Sequence, residues 1–289
     1  MSTWTAITRL PGESAAEALG EALEALRPAP AGVGVFEIED GSGLWEVGAY
    51  FTDPPDQAGL ALLSALHGAA DFAVSRLDDR DWVAQVQREL HPVVAGRIFL
   101  HGPHDAHRVP VNAIPLRIEA AMAFGTGHHG TTLGCLRAMV RLGRLGLRPR
   151  RVADIGCGTG VLAIAAAKLW RARCVAVDID AVAVRTARAN MAVNGVQGLV
   201  RTGAAAGFRA PLLRAAMPFD LVLANILAGP LRRLAPQTRA ALAPGGIAVL
   251  SGILDRQLPA VLAVHAGHGM RRIGLERIGG WSTVTLRRD

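Results

Sequence analysis

The stretch Val152-Ala153-Asp154-Ile155-Gly156-Cys157-Gly158-Thr159-Gly160-Val161-Leu162 constrains the fold more than any other part of the chain. An apolar strand ends near an acid, passes through three glycines at alternate positions and enters an apolar helix. Glycine lets the backbone run close under a ligand where a β-carbon would block it. Asp178 lies twenty-two residues after Gly156, at the end of the next apolar strand. An acid about 20 residues beyond such a turn is placed to accept the hydroxyls of an adenosine ribose. The spacing is DxGxGxG and not the GxGxxG of dinucleotide sites, so nothing here demands a pyrophosphate.

Strands and helices alternate through the second half of the chain. Strands are expected at 151–155, 174–178, 199–202, 220–224, 247–251, 270–278 and 281–286, with helices at 133–142, 161–170, 181–193, 227–242 and 257–265. Such alternation implies a mostly parallel, doubly wound α/β sheet. The first 78 residues read as βαββαβ, the order of a small α+β ferredoxin-like domain. Its third and fourth elements are strands at 33–38 and 44–51, joined at Glu39-Asp40-Gly41-Ser42-Gly43, a hairpin signal. Three parts follow: a domain at 1–78, a linker helix and hinge at 79–98, and the doubly wound domain at 99–289. A short helix over 81–90, broken at His91-Pro92, opens the linker.

Charge divides along the same line. Residues 1–80 hold 13 acids against 4 arginines, a net of −9, while residues 121–289 hold 7 acids against 23 bases, a net of +16. Only Lys168 among the bases is a lysine. With 51% apolar and 19% charged residues the chain can bury a core, which argues against disorder. The N-terminus lacks a basic start and apolar core, and no apolar run approaches the ~18 residues of a membrane helix. Cys135, Cys157 and Cys174 form no CxxC pair, so neither a disulfide framework nor a zinc site is expected, and a cytoplasmic location is. His101, His104 and His107 sit in a Gly/Pro/Asp loop without a second ligand pair, so no metal is expected.

Two more stretches carry chemistry. Ala123-Phe124-Gly125-Thr126-Gly127-His128-His129-Gly130-Thr131-Thr132 is a polar, glycine-rich loop opening a helix. Thr131 or Thr132 could cap that helix or face a ligand. Phe219-Asp220-Leu221-Val222-Leu223-Ala224-Asn225 delivers a carboxamide to the carboxyl end of the sheet, where open α/β sheets bind ligands. Asn225 either caps the next helix or orients an incoming amine by accepting one of its hydrogens.

The glycine turn is similar to motif I of class I methyltransferases, which bind S-adenosylmethionine. With AFGTGHHGTT, Asp178-Ile179-Asp180, Ala224-Asn225-Ile226-Leu227-Ala228 and Ser251-Gly252-Ile253-Leu254, the whole chain resembles the PrmA family, methyltransferases that modify ribosomal protein L-eleven. The chain departs from that family's pattern where Glu119-Ala120-Ala121 precedes Met122. The resemblance implies a class I, Rossmann-like sheet with S-adenosylmethionine held by Thr132, Gly156, Asp178 and Asn225. Asp154, Gly158 and Gly160 belong to the same turn, with Asp154 placed for the cofactor's ammonium, and His129 would line the site. The implied reaction is methylation of lysine ε-amines, with the N-terminal α-amine left open as a second target. With the charge split, the resemblance implies a basic ribosomal protein substrate docked by the acidic N-terminal domain; it also points to a monomer, the sequence itself leaving the oligomeric state open. No general base is named, and no membrane partner or direct nucleic-acid target is expected. Adenine-N6 enzymes place an aromatic platform where this chain has Ile226-Leu227-Ala228, and only 4% of its residues are aromatic. Two other readings stay open: a lysine methyltransferase acting on another protein such as an electron-transfer flavoprotein, and a non-catalytic ribosomal-protein-binding module.

Overall fold

A computed structural model describes residues 3–30, 32–38, 42–77, 92–118 and 129–289. The chain divides into two compact units, Met1–Val86 and Gln87–Asp289. The middle of the expected hairpin turn, the helix expected over 81–90 and most of the AFGTGHH loop lie outside the described residues.

The first unit runs β1 (Thr3–Pro11), α1 (Glu13–Glu24), β2 (Gly32–Glu37), β3 (Leu44–Phe51), α2 (Gln57–His67) and β4 (Ala73–Leu77). Its antiparallel sheet has the order β2-β3-β1-β4, the ferredoxin-like arrangement expected. Alternation along the strands sends Ala6, Leu10, Val47 and Phe51 to one face, where Leu19 and Leu23 of α1 and Leu60 of α2 complete a separate core. Asp56 caps α2 by accepting from the Ala58 N–H.

In the second unit β5 (Val93–Ala95), β6 (Ile98–His101) and β7 (Ile114–Arg117) form a small sheet. Val93, Ala95 and Ile98 are buried in this unit's core, so the described part of the expected 79–98 linker belongs to the second unit. After it come α3 (His129–Arg144), β8 (Arg151–Ile155), α4 (Val161–Trp170), β9 (Arg173–Asp178), α5 (Ala181–Val193), β10 (Val200–Ala204) and α6 (Pro211–Arg214). The chain finishes with β11 (Phe219–Asn225), α7 (Ala228–Arg233), α8 (Ala235–Ala241), β12 (Leu242–Leu254), α9 (Leu258–Gly267), β13 (Met270–Ile278) and β14 (Trp281–Arg288). The sheet order is β10-β9-β8-β11-β12-β14-β13. Only β14 runs against the others. Strand order reverses between β8 and β11, which makes their carboxyl ends the binding crevice of the fold.

Each face of the sheet has its own core. One gathers α3 and α4, the other Phe208, Leu231 and Val261 from the segments opposite. Every residue of α4 from Val161 to Ala167 is buried, so this helix is apolar all round and packed on all sides. The helix expected over 227–242 is in fact two helices. Pro236 has no N–H for the Arg232 carbonyl, and the ladder breaks at Leu234. Among the described residues no helix is long and apolar enough to cross a membrane.

Candidate active site

The glycine turn between β8 and α4 is tied to the sheet from below. The N–H groups of Gly156 and Cys157 both donate to the Val177 carbonyl, at 2.8 and 3.0 Å. Asn190 of α5, fully buried, donates to the Thr159 carbonyl at 3.0 Å. Gly156 has φ +70°, and a β-carbon there would meet Ile226 Cγ2 at 2.3 Å. The turn therefore passes hard under Ile226, just beyond the end of β11, at a positive φ that favours glycine.

Above it lies a cavity of about 450 Å³ lined by Thr132, Asp154, Gly156, Gly158, Asn225 and Leu227 among others. A second cavity of about 870 Å³ shares Gly156, Asn225 and Ile226 with the first and extends over Asp178, Ile179 and Phe208. Five of the seven residues singled out in the sequence thus meet in one cavity, and Asp178 borders its neighbour. Gly160 lines neither. It begins α4 with φ +81°, packed beneath Met191 and Ala187, so its place in the turn is conformational.

The two carboxylates are held differently. Asp178 accepts from the Gly158 N–H at 2.8 Å on one oxygen and from the Asp180 N–H at 3.0 Å on the other. Both oxygens keep a lone pair for further donors. Asp154 is 1% exposed, and its Oδ2 accepts from the Ala163 N–H at 3.0 Å. Its Oδ1 is buried without a partner. Burial pushes this carboxyl up to about 7 against the pull of the Ala163 N–H, and the Asp178 charge adds to the rise. A buried carboxylate oxygen on a cavity wall with no donor is a mismatch that a cationic ligand group would remove. Burial likewise pushes the Cys157 thiol up, so the cavity wall offers no thiolate.

Neither threonine caps α3. The helix starts at His129, and both Thr131 and Thr132 lie buried in its first turn. Asn225 does not cap α7 either, since Leu227 occupies that position without a side-chain bond. Instead the Asn225 amide nitrogen donates to the hydroxyls of both Thr131 and Thr132, each at 3.3 Å. Among the described residues no donor meets its Oδ1. The side chain of His129 lies outside the described residues. The three loop histidines take separate partners: His101 Nδ1 the Gly102 carbonyl, His104 Nε2 the Asp105 carboxylate, and His107 Nδ1 the His104 carbonyl.

Sequence reasoning gave no role to Gly134, Ser251 or Thr283. A β-carbon on Gly134 would meet Thr283 Oγ1 at 2.2 Å, so α3 reaches β14 only because this position is glycine. The signal was the Gly130-x-x-x-Gly134 spacing, which sets both glycines on one helix face.

A doubly wound sheet of this order, with an acid–glycine turn and a ribose-type acid at its switch point, defines a class I methyltransferase fold. A family model described as Ribosomal protein L11 methyltransferase (PrmA) matches residues 29–289, and the chain belongs to that family. A ribosomal protein L11 methyltransferase of Bradyrhizobium diazoefficiens is 48% identical over 262 residues, spanning 89% of this chain and 88% of its own. One of Brucella suis biovar 1 is 41% identical over 255 residues, spanning 88% and 89%. The crystal structure of a ribosomal protein L11 methylase from Lactobacillus delbrueckii subsp. bulgaricus superposes with a TM-score of 0.60 at 28% identity, covering 69% of this chain and 99% of that one. The resemblance read from AFGTGHHGTT and Ala-Asn-Ile-Leu-Ala therefore holds.

Proposed function

We propose that this protein transfers methyl groups from S-adenosylmethionine to lysine ε-amines, and to the N-terminal α-amine, of ribosomal protein L11. The observation that carries the reading is one cavity lined by both Asp154, whose buried Oδ1 has no partner among the described residues, and Asn225, in a chain of this family. The cofactor supplies a methyl group on a sulfonium, which an amine lone pair can displace as the carbon–sulfur electron pair returns to sulfur. Asp154 would take the cofactor's ammonium and Asp178 its ribose hydroxyls, while Gly156 and Gly158 clear space for it and Thr132 closes the cavity wall. Asn225 Oδ1 accepts a hydrogen from the incoming amine and so aims its lone pair.

Positioning supplies most of the rate in such an in-line transfer. A lysine amine has a pKa of about 10.4 and must lose a proton first. The apolar lining of Val161, Leu162, Ile226 and Leu227 disfavours the ammonium form, so the amine can enter neutral without a dedicated base. The acidic N-terminal unit docks the basic substrate, and the enzyme works as a cytoplasmic monomer. Radiolabelled methyl transfer to purified ribosomal protein L11, with ribosomal RNA and an electron-transfer flavoprotein in parallel, tests the reading. Label in L11, mapped by mass to its amines, is expected. Label in either parallel substrate and none in L11 would overturn it.

A further inference from the structure

Asn225 can serve an amine in only one of its two orientations. With Oδ1 toward the amine it accepts an N–H and leaves the lone pair free. With Nδ2 toward the amine it would donate into the electrons that must attack carbon. Something has to choose between them, and a carboxamide alone does not.

We propose that Thr131 makes that choice as a positioning residue, its backbone carbonyl anchored by the buried hydroxyl pair of Ser251 and Thr283; this rests on reading the site as an amine methyltransferase. Thr131 is fully buried and is not among the described residues that line the cavity, and its described side-chain contact toward the cavity is with Asn225. Its hydroxyl and that of Thr132 accept the two amide hydrogens at 3.3 Å each, long bonds that steer as a pair. Ser251 fixes Thr131 from the other side. Its Oγ donates to the Thr131 carbonyl at 3.2 Å and meets Thr283 Oγ1 at 2.6 Å, so Thr283 donates to Ser251. Ser251 is also the strand-register partner of Asn225, on β12 beside β11. The strand ends that carry the carboxamide and its support are therefore locked in step. Gly134 lets Thr283 close the chain against α3, as its missing β-carbon shows. The buried Thr283–Ser251 hydroxyl pair thus anchors the Thr131 backbone carbonyl, and with it the position of the Thr131 side chain.

Thr131→Val keeps the side-chain shape and removes the acceptor. The variant is expected to lose about tenfold in kcat on ribosomal protein L11 while cofactor Kd stays within about twofold. Thr131→Ser restores the acceptor and should recover to within about threefold of the parent. A kcat for Thr131→Val within about twofold of the parent, a Kd that rises as far as kcat falls, or a serine variant as slow as the valine one would each overturn the proposal. A second readout needs no substrate. The Asn225 side-chain amide, followed by nitrogen-labelled NMR, should exchange slowly with solvent in the parent and at least tenfold faster in Thr131→Val; equal rates would overturn the proposal. If the parent enzyme fails to methylate L11 at all, the proposed substrate is wrong, yet the amide measurement still decides the role of Thr131.

Discussion

The two units of this chain share an alternating α/β grammar and put their polar groups to opposite uses. In the first unit the buried polar residues among those described are Thr5, Thr8 and Ser64, hydroxyls that meet Ser75, Ala70 and Ala61. No described carboxylate of that unit is buried; Glu17, Glu21 and Glu24 line an exposed ridge of α1. In the second unit Thr131, Thr132, Asp154, Ser251 and Thr283 are all buried around one crevice. Charge spread over a surface acts in sum, and each member is replaceable. Polar groups buried singly act one by one, because each lost partner leaves another unsatisfied. The first unit should therefore respond to its wholesale loss and to salt, the second to single atoms.

The sharpest break is removal of Met1–Val86. Each unit has its own core, so the remainder keeps the sheet and crevice. If the first unit docks the substrate as proposed, methyl transfer to L11 should fall at least about 100-fold while cofactor Kd stays within about twofold. Titration calorimetry and radiolabel transfer measure the two. Full activity in the truncated enzyme would end the idea that the first unit recognises the substrate.

A single side chain should do nearly as much in the crevice. If Asn225 aims the amine as proposed, Asn225→Ala should drop kcat about 100-fold with cofactor binding still measurable. Undiminished turnover would take Asn225 out of the mechanism.

How far the placement of these residues was legible in the sequence follows the same division. The glycine turn, Asp178 and Asn225 could be read because local chemistry fixes them: a positive φ, a strand end, an acid about 20 residues on. The βαββαβ order of the first unit was legible from periodicity. The helical setting of Thr131 and Thr132 was not, because two threonines after a glycine read equally well as a cap, and Gly130 and Gly134 find their reason only against β13 and β14. The Ser251–Thr283 pair depends on β14 turning back antiparallel beside β12, a tertiary event that no local pattern encodes. Residues 92–98 looked like hinge because three-residue strands leave little periodicity, yet Val93 and Ala95 are core.

Asp154 offers a graded test of the buried side of the comparison. Its carboxyl sits near 7 in the folded protein and at its ordinary 3.8 when exposed. The folded state thus binds the extra proton between those values, so the stability this group contributes declines as pH rises from about 4 to 7, by on the order of 4 kcal/mol. A bound ammonium would remove that penalty by pairing with the ionised form. Cofactor affinity should therefore fall as pH drops through 7, about tenfold between pH 7.5 and pH 6. The cofactor's α-amine, with a pKa near 8, is already charged there and adds no acid-side change. Asp154→Asn should bind weakly and with a flat profile. A parent enzyme with flat binding over this range would show that Oδ1 does not meet the ammonium.

Salt separates the two units most gently. Raising ionic strength from about 0.01 to 0.1 M shortens the screening length from about 30 to about 10 Å. A surface ridge such as Glu17, Glu21 and Glu24 acts through water and is screened, whereas Asp154, at 1% exposure, is not. kcat/KM for L11 should decline about threefold to tenfold, through KM, while cofactor Kd moves less than about twofold. Reversing two members of the ridge, Glu17→Lys with Glu21→Lys, should raise KM at low salt and flatten its salt dependence. The direction of that change is the discriminating feature. If the reversed enzyme kept the parent's salt slope, attraction to the basic substrate would have to arise from acids elsewhere in residues 1–80, and the ridge would be only a solvated helix face.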